Sequence, residues 1–347
     1  MASLAQRLAS RSEGSDIAIG PHNRVVQTEV KVSSKANSDV VGLCITDPIS
    51  FVNTLIHLDG SVAQLVLLSH ALPPQTVSVL LESAGCTRLV TDRTDLGTPF
   101  EQITPEAAIA KSVPAGSVTK WTLTTSGTTG LPKLIPHTLN SLTHTVARGN
   151  PAAAPRWGLL YDPTRFAGLQ VVLQALIGGG VLLTPDTHAP LAEQIATLKA
   201  QGCTHLSATP TLWRRLLMAP GFSDLALKQI TLGGEIVDQQ VLDTLNAAHP
   251  SARITHIYAS TEAGVGFAVT DGQAGFPTHF LQDIASIRMK IVDEVLWLRP
   301  PAGAQRPLEC TEVETDQEGY IRSGDRIQIK DGRGYFLGRD NGTINVC

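Results

Sequence analysis

The run Thr124, Thr125, Ser126, Gly127, Thr128, Thr129, Gly130, Leu131, Pro132, Lys133 packs hydroxyls, two glycines and a terminal lysine into ten positions. That mixture suits a polyphosphate. Glycines let backbone N–H groups turn toward an anion, hydroxyls add donors, and Lys133 brings a mobile positive charge. Its direct role is binding rather than bond making. The spacing GxxxxGK[ST] is absent, which removes the main support for a P-loop phosphotransferase. A surface linker is the plain alternative, but linkers seldom end in Leu-Pro-Lys and run through Leu134 and Ile135 into a helix start at Thr138.

The elements that must position this run read as an α/β chain. Helix-like segments at Ile49–Leu58 and after Pro73 alternate with apolar runs at Gln64–Leu68, Arg88–Thr91, Trp121–Thr125, Val181–Leu183, His205–Ala208, Gln229–Leu232 and Arg253–Tyr258. The fold class expected is doubly wound, mostly parallel sheets with helices on their faces. After Pro277 shorter runs at Ser286–Val292, Glu294–Leu298, Tyr320–Arg322 and Arg326–Ile329 alternate around turns, predicting a smaller β-rich subdomain. The expected division is therefore 1–276, 277–338 and a terminal segment 339–347.

Composition narrows the partners. A net charge of -4 with no long basic run leaves no footprint for nucleic acid or an anionic membrane surface. The most apolar stretch, Ala167–Leu183, contains Gln170, Gln174 and three consecutive glycines, so it reads as a buried helix, a glycine stop and a strand instead of a membrane span. Met1–Arg11 carries Ser, Ala and Arg in transit-peptide style, but Glu13 and Asp16 follow, and a short amphipathic helix is the better reading. Five dispersed cysteines form no CxxC pair, which points to a reducing compartment and an expected cytoplasmic location.

The loop closely resembles the signature loop of the adenylate-forming superfamily, which includes acyl- and aryl-CoA synthetases, luciferase and peptide-synthetase adenylation domains. Three more segments follow in the family's order. Gly233, Gly234, Glu235 resembles the adenine-flanking turn; Ile257–Gly264, with Tyr258, Ala259, Ser260, Thr261 and Glu262, resembles the Tyr-Gly-x-Thr-Glu segment; and Gly319–Asp325 resembles the Tyr/Trp-x-x-Thr-Gly-Asp segment. Taken singly, Tyr258 could be a core aromatic, Glu262 a helix cap and Asp325 a turn residue. Their order across more than 200 residues, at element boundaries where open α/β sheets bind ligands, favours the site.

The resemblance implies binding of ATP or AMP with Tyr258 at the base, Asp325 at the ribose hydroxyls, Thr261 at the α-phosphate and Glu262 on Mg²⁺. Tyr335–Cys347 resembles the family's linker segment, which places Arg339 at the ribose and the hinge at Asn341; Gly342 and Asn345 depart from the commonest residues. A small domain of roughly 100 residues, bearing the lysine used in adenylation, is implied beyond this chain, in cis or in trans. The implied reaction is adenylation of a carboxylic acid by ATP, then thioester formation with CoA or a carrier protein's phosphopantetheine, with weak turnover by this chain alone.

The acid is less legible. Where CoA-forming relatives have Pro-x-x-His-x-x-Gly, this chain reads Pro163, Thr164, Arg165, Phe166, Ala167, Gly168, without the histidine. Arg165 offers a counter-ion for a second carboxylate, or is a solvated surface residue. Asp162 raises the rival reading of an amino-acid substrate, but its spacing to Gly178–Gly180 is long, and an acyl or aryl acid is favoured. A non-catalytic AMP or ATP sensor is the remaining alternative. His137 either approaches the site or leads the next helix as a structural residue.

Overall fold

The computed structural model describes residues 2–27, 38–111, 118–125, 132–146, 154–261, 264–282, 287–299 and 314–340. Two compact units divide the chain, Met1–Asp186 and Thr187–Cys347. They combine mixed parallel sheets, flanked by helices, with a smaller antiparallel sheet.

In the first unit a six-stranded sheet runs in the order Glu101–Ile103, Arg88–Thr91, Val40–Cys44, Gln64–Leu67, Lys120–Thr125, Lys133–Thr138. All neighbours are parallel except the last two, which form a hairpin in register from Lys120 opposite Thr138 to Thr125 opposite Lys133. The central parallel strands Val40–Cys44 and Gln64–Leu67 are nearly continuous buried apolar runs, as expected of strands covered on both faces. Helix Pro48–Leu58 starts where Asp47 accepts hydrogen bonds from Ile49 N and Ser50 N, with Pro48 in the first turn where its missing N–H costs nothing. Leu80, Leu81, Val77 and Leu89 close one core with Val66 and Leu68.

A second set in this unit pairs Arg156–Leu159, Val181–Leu183 and Asp16–Ile19 in parallel, with Arg24–Val26 antiparallel at its edge. Helix Phe166–Ile177 lies between the first two, buried along most of its length, and Gly178–Gly180 end it. A Cβ on Gly180 would stand 2.4 Å from the Pro155 carbonyl oxygen, so only glycine allows that exit.

The second unit opens with His205–Ala208, Gln229–Leu232 and Arg253–Ser260, parallel and in register, and adds Gly264–Val269 antiparallel to the last. Helices Leu191–Ala200, Pro210–Met218 and Gln239–Ala248 connect or precede them. An antiparallel sheet follows in the order Phe276–Pro277, Arg333–Arg339, Ile321–Lys330, Val295–Arg299, Arg288–Val292. Phe267, Phe276, Met289, Leu296, Leu298 and Ile327 share its core.

The helix start expected at Thr138 is present: Thr138 caps helix Leu139–Thr143 through a capping box, and Lys133–Thr138 before it is a strand. Local readings differ in two places. The runs at Tyr320 and Arg326 are one strand, Ile321–Lys330: Gly324 takes φ +76° and a register shift falls at Arg326 and Ile327, so the apparent break is an irregularity inside a paired strand. Gly264–Val269 was not read as a strand, because two glycines interrupt its pattern. The division at 276 and 338 follows strand character, whereas compactness divides the chain after Asp186.

Candidate functional site

The candidate residues fall into one group in each unit. In the first, Lys120–Thr125 and Lys133–Thr138 are the two stems of the signature loop. Ser126, Gly127, Thr128, Thr129 and Gly130 lie outside the described residues. Thr125 and Lys133, facing each other at the stem ends, are both half-buried. The described segments on either side of the loop are therefore two antiparallel strands.

Thr124 is buried, and its hydroxyl finds no hydrogen-bond partner among the described residues. Its carbonyl accepts from Arg165 Nη1 at 3.3 Å, so the arginine steadies the outgoing stem. Asp162 is engaged locally: Oδ1 accepts from Thr164 N at 2.9 Å and Thr164 Oγ1 at 2.6 Å, fixing the turn into helix Phe166–Ile177. Gly168 makes that turn feasible, since a Cβ there would meet the Asp162 carbonyl oxygen at 2.1 Å. Phe166 is buried against His137, ring centroids 6.0 Å apart, and His137 Nδ1 lies 3.4 Å from Ser141 Oγ.

In the second unit the structure brings Tyr258, Asp325 and Arg339 together. Tyr258, near the end of strand Arg253–Ser260, donates its hydroxyl to Asp325 Oδ2 at 2.5 Å. Asp325 stands opposite Arg339 in the register of neighbouring strands, and Arg339 Nε lies 3.4 Å from Asp325 Oδ1. That contact lacks hydrogen-bond geometry, so Nε, although buried, keeps a donor to spare among the described residues. Burial pushes the Asp325 carboxyl above the usual carboxylate range, opposed by the Tyr258 hydrogen bond and the Arg339 charge. Burial and the neighbouring Asp325 charge both push the Tyr258 phenol well up, so it remains a neutral donor.

Tyr258 is also a flat surface. It stacks on Phe267 at 5.3 Å and Phe336 at 4.9 Å, with interplanar angles of 22° and 19°. The Phe267 and Phe336 centroids are themselves 6.5 Å apart, so the three rings pack as one group. Gly266 gives the ring its place: it falls where the pairing of strands Arg253–Ser260 and Gly264–Val269 shifts register, and a Cβ there would press to 3.0 Å from Tyr258 Cδ1. An isolated glycine inside a strand pattern is the signal that could have pointed to it.

The remaining candidates are dispersed along the second unit. Ala259 and Ser260 are half-buried at the strand end and Thr261 is in the turn after it; Glu262 and Asn341 lie outside the described residues. Gly233 N donates to the Ala208 carbonyl and Gly234 adopts φ +81°. Glu235 Oε2 accepts from Thr211 N at 2.9 Å, capping helix Pro210–Met218 beside the Thr209 hydroxyl. A ligand at this turn would meet its backbone, because the carboxylate is already bound to the helix.

In the second unit a carboxylate and a buried guanidinium N–H with a hydrogen bond to give suit the hydroxyl groups of a ribose; in the first, the buried Thr124 hydroxyl has a hydrogen bond to give. For Mg²⁺, no three His, Cys, Asp or Glu gather among the described residues. An ion held by one carboxylate, phosphates and water needs no such gathering. No helix among the described residues is long and apolar enough to cross a membrane.

A family model described as AMP-binding enzyme matches residues 36–303. The 2-succinylbenzoate–CoA ligase of Salmonella typhimurium is 29% identical over 231 residues, covering 64% of this chain and 44% of the relative. CymA of Salinispora arenicola, described as a probable non-canonical nonribosomal peptide synthetase, is 28% identical over 290 residues, 82% of this chain and 4% of that protein. The chain spans less than half the length of either. Among solved structures, the Klebsiella oxytoca NpsA N-terminal subdomain superposes with a TM-score of 0.76 at 15% identity, covering 96% of this chain and 98% of that one. The Bacillus subtilis o-succinylbenzoate CoA synthetase, in complex with its acyl-adenylate intermediate, gives 0.75 at 16%, covering 97% and 78%. At that identity the likeness is one of fold.

Proposed function

The chain belongs to the AMP-binding enzyme family, and from that premise we propose that it activates a carboxylic acid with ATP, giving acyl-AMP and pyrophosphate, for transfer to the thiol of CoA or a carrier protein's pantetheine. The Tyr258, Asp325 and Arg339 constellation carries the reading, because it sets a flat ring beside a carboxylate and a guanidinium that suit the hydroxyls of an adenosine.

In this reading the adenine lies by the Tyr258 ring, against the backbone of Gly233 and Gly234 and beside Ala259 and Ser260. Asp325 accepts from the ribose hydroxyls and Arg339 donates to them. Thr125 to Gly130 and Lys133 surround the phosphates, and Thr261 donates to the α-phosphate. The acid's carboxylate oxygen forms a bond to the α-phosphorus as the bond to the bridging oxygen breaks and pyrophosphate departs. Negative charge grows on the phosphate oxygens, and fixed donors with Lys133 are worth most there. Mg²⁺, held through Glu262, supplies further charge neutralisation when bound.

Arg165 and Phe166 belong to the acid's side of the proposal. Asp162 gives its Oδ1 to Thr164, and the acyl or aryl acid is kept as the favoured substrate over an amino acid. A small lysine-bearing domain, in cis or in trans, a hinge at Asn341, division of the chain at 276 and 338, and a cytoplasmic setting belong to the same proposal. Pyrophosphate exchange across a panel of aryl, fatty and amino acids, with the small domain supplied, tests it. Exchange with an aryl or acyl acid supports the reading; response to amino acids alone, or to no acid while AMP still binds, overturns it.

A further inference from the structure

The first residues of the chain take part in the stem of the signature loop. Helix Leu4–Leu8 is short, fixed by a capping box between Ser3 and Gln6, and buries Leu4, Ala5 and Leu8. Five residues alone are far too few to hold a helix in water, so contacts elsewhere keep it formed. Those contacts converge on both sides of one hairpin.

On the outgoing side stands Asp59, at the end of helix Pro48–Leu58 and only 2% exposed. Its Oδ2 accepts from Leu4 N at 2.6 Å and its Oδ1 from Trp121 Nε1 at 2.8 Å. Trp121 is fully buried in the stem Lys120–Thr125, four residues before its end at Thr125. Burial pushes the Asp59 carboxyl up, while both donors and the nearby Arg7 charge pull it back. On the return side stands Arg7, whose Nη1 donates to Thr143 Oγ1 at 3.1 Å and whose Nη2 donates to Asn140 Oδ1. Both partners sit on helix Leu139–Thr143, which follows the stem Lys133–Thr138 without a gap. One turn further, Arg11 donates to the Gly180 carbonyl at the exit of helix Phe166–Ile177.

We propose that Ser3–Arg11 is a brace for the phosphate-binding hairpin, and that Arg7 and Asp59 are positioning residues for the triphosphate. The inference rests on the adenylation reading, in which the loop between these stems holds phosphates. Fixing the stems lowers the ordering cost that ligand binding would otherwise meet, so removing a fixed point weakens phosphate binding without touching a ligand. A segment that merely sealed the core would act through Leu4, Ala5 and Leu8, and its polar arms would be dispensable.

The test compares Arg7→Ala with the wild-type chain, measuring affinity for Mg-ATP and for AMP by calorimetry, alongside thermal unfolding. AMP lacks the β- and γ-phosphates and leans on Tyr258, Asp325 and Arg339, so it reports what the brace does not reach. Loss of the Arg7 hydrogen bonds should weaken ATP by roughly three- to tenfold, with AMP changed by less than about twofold. Asp59→Asn, which turns one acceptor into a donor facing a donor, should shift the same ratio in the same direction if it folds; if it does not, Arg7→Ala decides alone. An unchanged ratio of ATP to AMP affinity in Arg7→Ala, whatever the thermal midpoint does, overturns the brace. Failure of the wild-type chain to bind either nucleotide overturns the adenylation reading instead.

Discussion

Replacing Tyr258 with phenylalanine removes one hydroxyl and leaves the ring stack in place. The lost bond is a 2.5 Å contact to a carboxylate that is shielded from solvent and has Arg339 as its other partner. A hydrogen bond to an ionised acceptor is worth about 1.5–3 kcal/mol, against about 0.5–1.5 kcal/mol when both partners are neutral. The penalty should therefore depend on whether Asp325 is charged. Asp325 is held above its ordinary value of about 3.9, so relative to the unfolded chain it favours folding while protonated and loses that advantage as pH climbs through its folded value. The Tyr258 bond opposes that rise. Tyr258→Phe lifts the folded value further, and its cost grows with pH across the window above about 3.9. Urea unfolding of wild type and variant at a series of pH values reads this as a difference of about 1.5–3 kcal/mol near neutrality that shrinks toward acid. A difference that is flat with pH, or larger in acid, refutes the charge-assisted bond as the reason.

Gly168→Ala should cost about 3 kcal/mol in denaturant unfolding, because its Cβ meets backbone at 2.1 Å and nothing soft can yield. Gly179→Ala is the contrast: open space but φ +84°, so a loss of about 1 kcal/mol is expected, and equal losses at the two sites would contradict the steric argument. Gly266→Ala should displace the Tyr258 ring and weaken AMP by about fivefold or more, about 1 kcal/mol, read by titration calorimetry; unchanged AMP affinity would detach the ring from the nucleotide. Glu235→Ala should lower stability by about 0.5–2 kcal/mol through the uncapped Thr211 N–H. Thermal unfolding unaltered by that change would deny the cap its part.

What the sequence revealed follows the range of the forces involved. Helix Pro48–Leu58 shows in the apolar pattern from Ile49 onward, and helix Phe166–Ile177 in its glycine stop, because such patterns and stops act within a few residues. Tyr258, Asp325 and Arg339 were legible as members of motifs, and their order suggested one site, but the register that sets Asp325 opposite Arg339 depends on pairing between strands. Gly266 and Phe336 were missed for that reason: each matters only through the Tyr258 ring it meets across a strand. Asp162 shows the converse. Its type suggested a counter-ion, whereas its Oδ1 is held locally by Thr164, two residues on.

The hairpin at Thr125 and Lys133 has a bearing on how the nucleotide is let go. A phosphate cradle at the start of a long helix draws on a permanent dipole that no side-chain motion can switch off. Here the stems are strands, whose dipoles largely cancel, and the next helix begins only after Thr138 and spans five residues. In the proposed adenylation, the grip on the leaving diphosphate would then come from individual donors, each with its own bond rotations. Such a grip can be undone piecemeal, as the proposed release of pyrophosphate ahead of the thiol requires.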